Sequence, residues 1–338
     1  MERKVIYHVE SGSYLYGTNT EKSDKDYVSV FIPTNYDLLS LQKCDYIDDS
    51  TKKSSEDRRN TSEDIDNQKH SISNYLHLVL IGNPNLIEIL FATNPIIEDP
   101  VFSIFKDNTN KLISKNVFKS FSGFAFSQKK KLEYKAKRFT QLEKSLEYLE
   151  KEYAGEICDP SAIMGEDLSE WLNNNLSEYK GRKNNVESFH VNLPVKPIYE
   201  VIKNEYEKYG WRTKTDTFIT LGYDVKFASH AIRLFYEGER LLTTGRLEFP
   251  ITGKALNDIM NVKDGKLSIN EFYELCDYYD NLNVKAHESS LLPEKSDWKW
   301  VNENLVRILE TEIIREAALK ARKMPVKSKD KGYSYPVS

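Results

Sequence analysis

At 338 residues the chain is long enough to bury a substantial core and to form two domains. Its 48 Lys and Arg against 52 Asp and Glu leave a net charge of −4, which excludes the global basic field of a nucleic-acid coat protein and confines any such contact to local patches. The three cysteines, Cys44, Cys158 and Cys276, are far apart, which argues against a disulfide framework and against a clustered zinc site.

Taken in order, the chain begins Met1-Glu2-Arg3-Lys4 and runs straight into a strand-like stretch, Lys4 to Glu10, without a signal-peptide pattern. No apolar run reaches the roughly 20 residues a membrane-spanning helix needs, so the expected setting is the cytoplasm, with no membrane partner. Gly12-Ser13 reads as a turn and helix start, and Tyr27 to Ile32, rich in Val, Phe and Ile, as a second strand stopped by Pro33. At the start of that strand Asp24 and Asp26 stand two residues apart, and strand alternation turns both to one face. Two carboxylates so close repel unless a cation joins them. Oxygen-only ligands suit a hard ion such as Mg²⁺, whose shell is completed by substrate phosphates and water. Gly12-Ser13, just upstream, would offer backbone N–H groups and a hydroxyl to those phosphates.

From Asp45 to Asn67 the sequence is acidic, rich in Ser and Thr and almost without large apolar residues, and reads mostly as a mobile loop around Arg58-Arg59. A helix is expected from Ser71 or Ser73, with Ile72, Tyr75, Leu76, Val79 and Leu80 at helical spacing, ending at Gly82-Asn83-Pro84. Asn85 would cap a second short helix through Phe91. A long helical pattern from about Asn116 to Tyr153 opens what reads as a second domain. Residues 154–215, with Pro160, Pro194 and Pro197, read as an insertion with short helices near Leu168–Leu176 and Val201–Tyr209. Helical spacing returns from Thr220 to Leu242, followed by a strand-like Arg246–Phe249 and helices near Ala255–Met260, Ile269–Leu282 and Trp298–Ala321. The class is α+β: a sheet domain at 1–112, a mainly helical domain at 113–325 and a basic flexible tail at 326–338. Lys129-Lys130-Lys131 with Lys135, Lys137 and Arg138, and the tail from Lys320 through Arg322-Lys323 to Lys331, are the local patches that would serve an RNA partner; each also reads as solvated helix surface or a frayed end.

Gly12-Ser13, Tyr16-Gly17 and Ser23-Asp24-Lys25-Asp26 resemble the nucleotidyltransferase signature of the DNA polymerase β superfamily, and within it the pattern of the RNA repair pathway polymerase-β-like family. Two further blocks share the resemblance: Ile81 to Phe91, and Tyr223-Asp224-Val225-Lys226 through His230, Arg233-Leu234, Gly238-Glu239 and Gly245 to Pro250. The resemblance implies a small mixed sheet with flanking helices. It also implies transfer of a nucleoside monophosphate from a nucleoside triphosphate to a hydroxyl, with release of pyrophosphate. Two Mg²⁺ ions, for which Mn²⁺ would substitute, would be held by Asp24, Asp26 and a third carboxylate on a strand before the Ser71 helix. Glu63, Asp64 and Asp66 are the candidates; Asp66 stands at the implied spacing from Asn83-Pro84, although Asn67-Gln68-Lys69-His70 after it has little of a strand's composition. Gly12, Ser13 and Ser23 would face the nucleotide. The family name suggests an RNA end as acceptor, a protein or small molecule being the alternative. The rival class is a binding protein, either a nucleotide- or RNA-sensing module that does not turn over or a toxin–antitoxin-type partner.

Lys226, His230 and Arg233 recur at i, i+4 and i+7, one helical stripe of potential cations suited to a triphosphate, while Asp224 reads as a helix N-terminal carboxylate. Glu88 lies inside the apolar run Leu86 to Phe91 and needs a partner, for which Lys226 or Arg233 would serve. Gln128 and Lys131, near Phe121, Phe124 and Phe126, would contact a base or ribose, and the aromatics equally suit a core. His70 reads as a polar residue at a helix start.

Overall fold

The two β-branched runs become β1 (Lys4–Ser11) and β2 (Lys25–Ile32), paired antiparallel, in a computed structural model that describes residues 3–21, 23–50, 65–176, 189–213, 221 and 223–323. With β3 (Tyr46–Asp48), β4 (Ile65–Ser71) and β5 (Ile97–Glu98) they form a five-stranded mixed sheet in the order β3-β4-β2-β1-β5, in which β2 and β4 are parallel. The protein is α+β, the sheet lying near the amino terminus and the later chain mostly helical.

The chain divides into two units, Met1–Ser120 with Arg240–Thr252 and Ala286–Ser338, and Phe121–Glu239 with Gly253–Lys285. In the first, the face of the sheet carrying Tyr7, Val9, Val28 and Val30 is buried. Tyr7 stacks on Phe102 with ring centroids 3.9 Å apart and donates its hydroxyl to the Ile89 carbonyl at 2.9 Å. Tyr75, on the helix Ile72–Leu80, touches the same Phe102 and bonds the Leu86 carbonyl. These apolar contacts bring the helices onto the sheet. The helix Trp298–Lys323 belongs to this unit too: Asn35 Nδ2 donates to the Ile313 carbonyl at 3.1 Å, and the Asn35 N–H to Glu316 Oε2 at 3.0 Å.

Four expectations are corrected. Part of the stretch read as a loop is sheet: Tyr46–Asp48 forms β3, and Ile65–Ser71 forms β4 despite its polar composition, because neighbouring strands saturate its backbone. The centre of that stretch, with Arg58, Arg59, Glu63 and Asp64, lies outside the described residues. The helix Pro84–Glu88 is capped by Asn83 rather than Asn85, since Pro84 at the first helical position has the fixed φ a helix start requires. Arg246–Phe249 is not a strand; Gly245 turns the chain at φ 72°, the Thr244 hydroxyl donates to the Arg246 carbonyl, and Leu247 and Phe249 bury individually. Arg138 does not belong to a basic surface: it is 1% exposed and makes a two-pronged ion pair with Glu205 at 3.0 and 2.9 Å.

In the second unit the helix Asn116–Glu152 supplies Leu142, Leu146 and Leu149 to a core completed by Leu168, Leu172, Leu176, Val195 and Ile202. The helices Glu166–Leu176 and Val195–Thr213 thus pack on the long helix, with Tyr148 stacked on Trp171 at 4.0 Å. Among the described residues no helix is long and apolar enough to cross a membrane.

Candidate active site

The site grows from the end of β1. Ser11 pairs with Asp26 across the β1–β2 ladder, and the backbone then turns at Gly12, φ 64°, a conformation that favours glycine. A Cβ at Gly12 would overlap Asp26 Oδ2, so the carboxylate lies against the bare Cα. Gly12–Tyr16 makes a short helix closed by Gly17 at φ 74°, with the Thr18 N–H returning to the Ser13 carbonyl at 2.9 Å. Ser13 Oγ is buried without a hydrogen-bond partner.

Three contacts hold this turn. The Ile251 N–H donates to the Tyr16 carbonyl at 3.0 Å, the Tyr16 ring meets Phe249 at 5.9 Å, and the Tyr16 hydroxyl donates to Glu88 Oε2 at 2.5 Å. Glu88 is 1% exposed. Within its own unit the acceptor expected to need a partner therefore has one from the Tyr16-Gly17 motif. Tyr16→Phe is expected to destabilise the fold by about 1–3 kcal/mol, the cost of removing a donor from a buried carboxylate, read as a lower midpoint in urea unfolding with the slope unchanged; a midpoint equal to the wild type's would show that this contact does not stabilise the turn.

The chain reaches Asp24 through a tight turn in which Ser23 Oγ accepts the Thr20 N–H at 2.9 Å and the Ser23 N–H returns to the Thr20 carbonyl at 3.0 Å. Asp24 lies just before β2, Asp26 within it, and Asp66 stands directly beside Asp26 in the parallel β2–β4 register. Asp24, Asp26 and Asp66, each half-buried, bring carboxylate oxygens within 4.8 Å of one another. Such a set is an all-oxygen donor group for a hard divalent cation, which would relieve the mutual repulsion. Gly12 leaves room for Asp26 in it.

Residues 1–149 match the RNA repair pathway DNA polymerase beta family. The matched stretch contains Gly12, Ser13, Tyr16, Asp24, Asp26, Asp66, Asn83-Pro84 and Glu88; the block from Tyr223 to Pro250 lies beyond it. The chain is also 24% identical to an uncharacterized 38.9 kDa protein in the nrdC-mobD intergenic region of Enterobacteria phage T4, across 90% of this chain and 97% of that protein. No solved structure matches the chain significantly.

Lys226, His230 and Arg233 lie together on the helix Val225–Thr244, and Asp224 does cap it, accepting the Lys226 N–H at 3.0 Å. They differ sharply in setting. Lys226 and His230 are exposed, whereas Arg233 is 2% exposed and its Nη1 lies 2.8 Å from both oxygens of Glu237, one turn on and fully buried. The neighbouring Arg233, then burial and Lys226, push the His230 pKa down to about 3; because its side chain keeps solvent contact, the adjacent charges are the cause that matters. At neutral pH His230 is therefore uncharged, and of the three only Lys226 presents an exposed cation. Glu237 was missed from the sequence, though Arg followed four residues later by Glu is the spacing of a helical ion pair. Elsewhere, Phe124 and Phe126 are exposed, Phe121 is core, and Gln128 Oε1 is buried without a hydrogen-bond partner. His70 sits in β4, buried, its Nδ1 3.1 Å from Asn74 Nδ2.

Proposed function

We propose that the protein is a Mg²⁺-dependent nucleotidyltransferase that moves a nucleoside monophosphate from a nucleoside triphosphate to a hydroxyl, releasing pyrophosphate, and that the hydroxyl belongs to an RNA end. The observation that carries this reading is the convergence of Asp24, Asp26 and Asp66, with Asp26 seated against Gly12, in a region that matches a polymerase-β-like family. Asp24, Asp26 and Asp66 hold Mg²⁺, for which Mn²⁺ substitutes; the bound metal supplies charge neutralisation on the triphosphate and acidifies the attacking hydroxyl. Ser13 Oγ and the Gly12-Ser13 backbone receive phosphate oxygens, the buried hydroxyl being a hydrogen-bonding group in want of a partner. Ser23 shapes the turn that delivers Asp24. Asp66 takes the proton of the incoming hydroxyl as its oxygen bonds the α-phosphorus and the bond to the bridging oxygen of pyrophosphate breaks. In the second unit, the buried Arg233–Glu237 pair stiffens the helix that bears Lys226 and His230.

Incubation with each α-labelled nucleoside triphosphate, Mg²⁺ and a pool of host RNA and protein tests the reading. Label is expected in the RNA fraction, with transfer falling steeply as salt rises because the acceptor is held through its phosphates. Label in protein instead would move the acceptor to a side chain, and label in neither fraction would rule out both macromolecular acceptors.

A further inference from the structure

Asp66 stands beside Asp26 only because β4 pairs with β2 in one register, and hydrophobic patterning does not choose that register. In the seven residues of β4 Ile65 is the single apolar one, and it is exposed. A slip of one residue would turn Asp66 to the other face of the sheet. A slip of two would carry it about 6.6 Å along the strand, beyond the 4.8 Å within which the three carboxylates gather.

The opposite face carries a polar chain across three strands. His8 of β1 and Ser29 of β2 are registered partners, and Ser29 Oγ donates diagonally to Asn67 Oδ1 of β4 at 3.1 Å. A hydroxyl has one proton to give, so Ser29 Oγ accepts from His8, whose Nδ1 is 2.9 Å away and carries hydrogen. Ser29 is 2% exposed, so a slip of β4 would leave its hydroxyl in the sheet without the Asn67 acceptor, His8 alone remaining. The Tyr27 ring stacks against His8 at 5.1 Å. Lys69, half-buried, and Asp49, exposed, form an ion pair farther along β4, and with one member in solvent it holds weakly. Asn67 follows Asp66 and points the other way, so its bond fixes the backbone at Asp66 without entering the site.

We infer that Asn67, acting through Ser29 and His8, is a positioning residue that sets the β4 register and with it the place of the third carboxylate. This rests on the reading of Asp24, Asp26 and Asp66 as metal ligands. It is tested on the full chain by titrating Mn²⁺ alone, without nucleotide, and following free Mn²⁺ by electron paramagnetic resonance. Asn67→Ala is expected to bind Mn²⁺ about tenfold more weakly, as for other groups that orient a ligand. Asn67→Asp, which keeps an acceptor for the Ser29 hydroxyl, should bind at least as tightly as the wild type. Ser29→Ala should match Asn67→Ala, and the double variant should be no worse than either single one, because all break the same chain of bonds. If Asn67→Ala fails to fold, Ser29→Ala carries the same expectation. Wild-type Mn²⁺ affinity in Asn67→Ala, or additive losses in the double variant, overturns the inference. Asp66→Asn separates it from the reading beneath. If Asp66→Asn binds weakly while Asn67→Ala binds normally, the positioning role alone is wrong; if Asp66→Asn binds normally, the metal-site reading falls and takes the positioning role with it.

Discussion

Asp26→Asn should reduce nucleotide transfer by on the order of 10³-fold, the several kcal/mol of transition-state charge stabilisation that a correctly held metal supplies. The substitution keeps the shape of the side chain and its place against Gly12, so a folding defect is not the expected cause. Thermal melting separates the two explanations. Without metal, replacing one of three clustered carboxylates by a neutral amide relieves repulsion, and the variant should melt no lower than the wild type. With Mg²⁺ or Mn²⁺ the wild type should rise in melting temperature, because the ion binds the folded state alone, and Asp26→Asn should lose that rise. Asp24→Asn and Asp66→Asn should behave alike. Undiminished transfer in Asp24→Asn and Asp26→Asn would remove the metal site from the mechanism, and a metal-free melting temperature far below the wild type's would make Asp26 a structural residue.

How much of this was legible in the sequence follows from how each element is held. The helices Ile72–Leu80, Asn116–Glu152 and Trp298–Lys323 are near their expected places because an apolar stripe at helical spacing is a local signal. Asp24 and Asp26 were visible for a similar reason: they stand two residues apart in sequence, Asp24 just before the strand and Asp26 within it, so their nearness is local. Asp66 could only be a candidate among three, since what brings it to Asp26 is a long-range pairing held by polar contacts that leave no hydrophobic period. Glu88 illustrates the opposite case. Its need for a partner was plain from the apolar residues around it, but one donor, Tyr16, is 72 residues away and found only by folding. The stripe Lys226, His230 and Arg233 was legible as a face, not as charge, because Glu237 and the mutual repulsion of the cations decide which members carry charge to the surface.

Gly12→Ala should be strongly damaging to the site, and the reason is that two independent demands meet at one Cα beside Asp26. The first is conformational: at φ 64° an alanine pays roughly 1–2 kcal/mol for the left-handed backbone. The second is spatial, because the new methyl would occupy the place of Asp26 Oδ2. The new methyl is fixed to the backbone, so the Asp26 carboxylate must move, and moving it takes a ligand away from Asp24 and Asp66. Stability should therefore fall by the backbone amount, while Mn²⁺ affinity and nucleotide transfer fall much further, approaching those of Asp26→Asn. Gly123→Ala is the matched control. It lies inside the helix Asn116–Glu152 with open space where its Cβ would go, so the same chemical change should stabilise by about 0.5–1 kcal/mol and leave transfer alone. If Gly12→Ala lost stability but transferred nucleotide at the wild-type rate, Asp26 would not need its seat against Gly12, and the three-carboxylate geometry would not be the one that works.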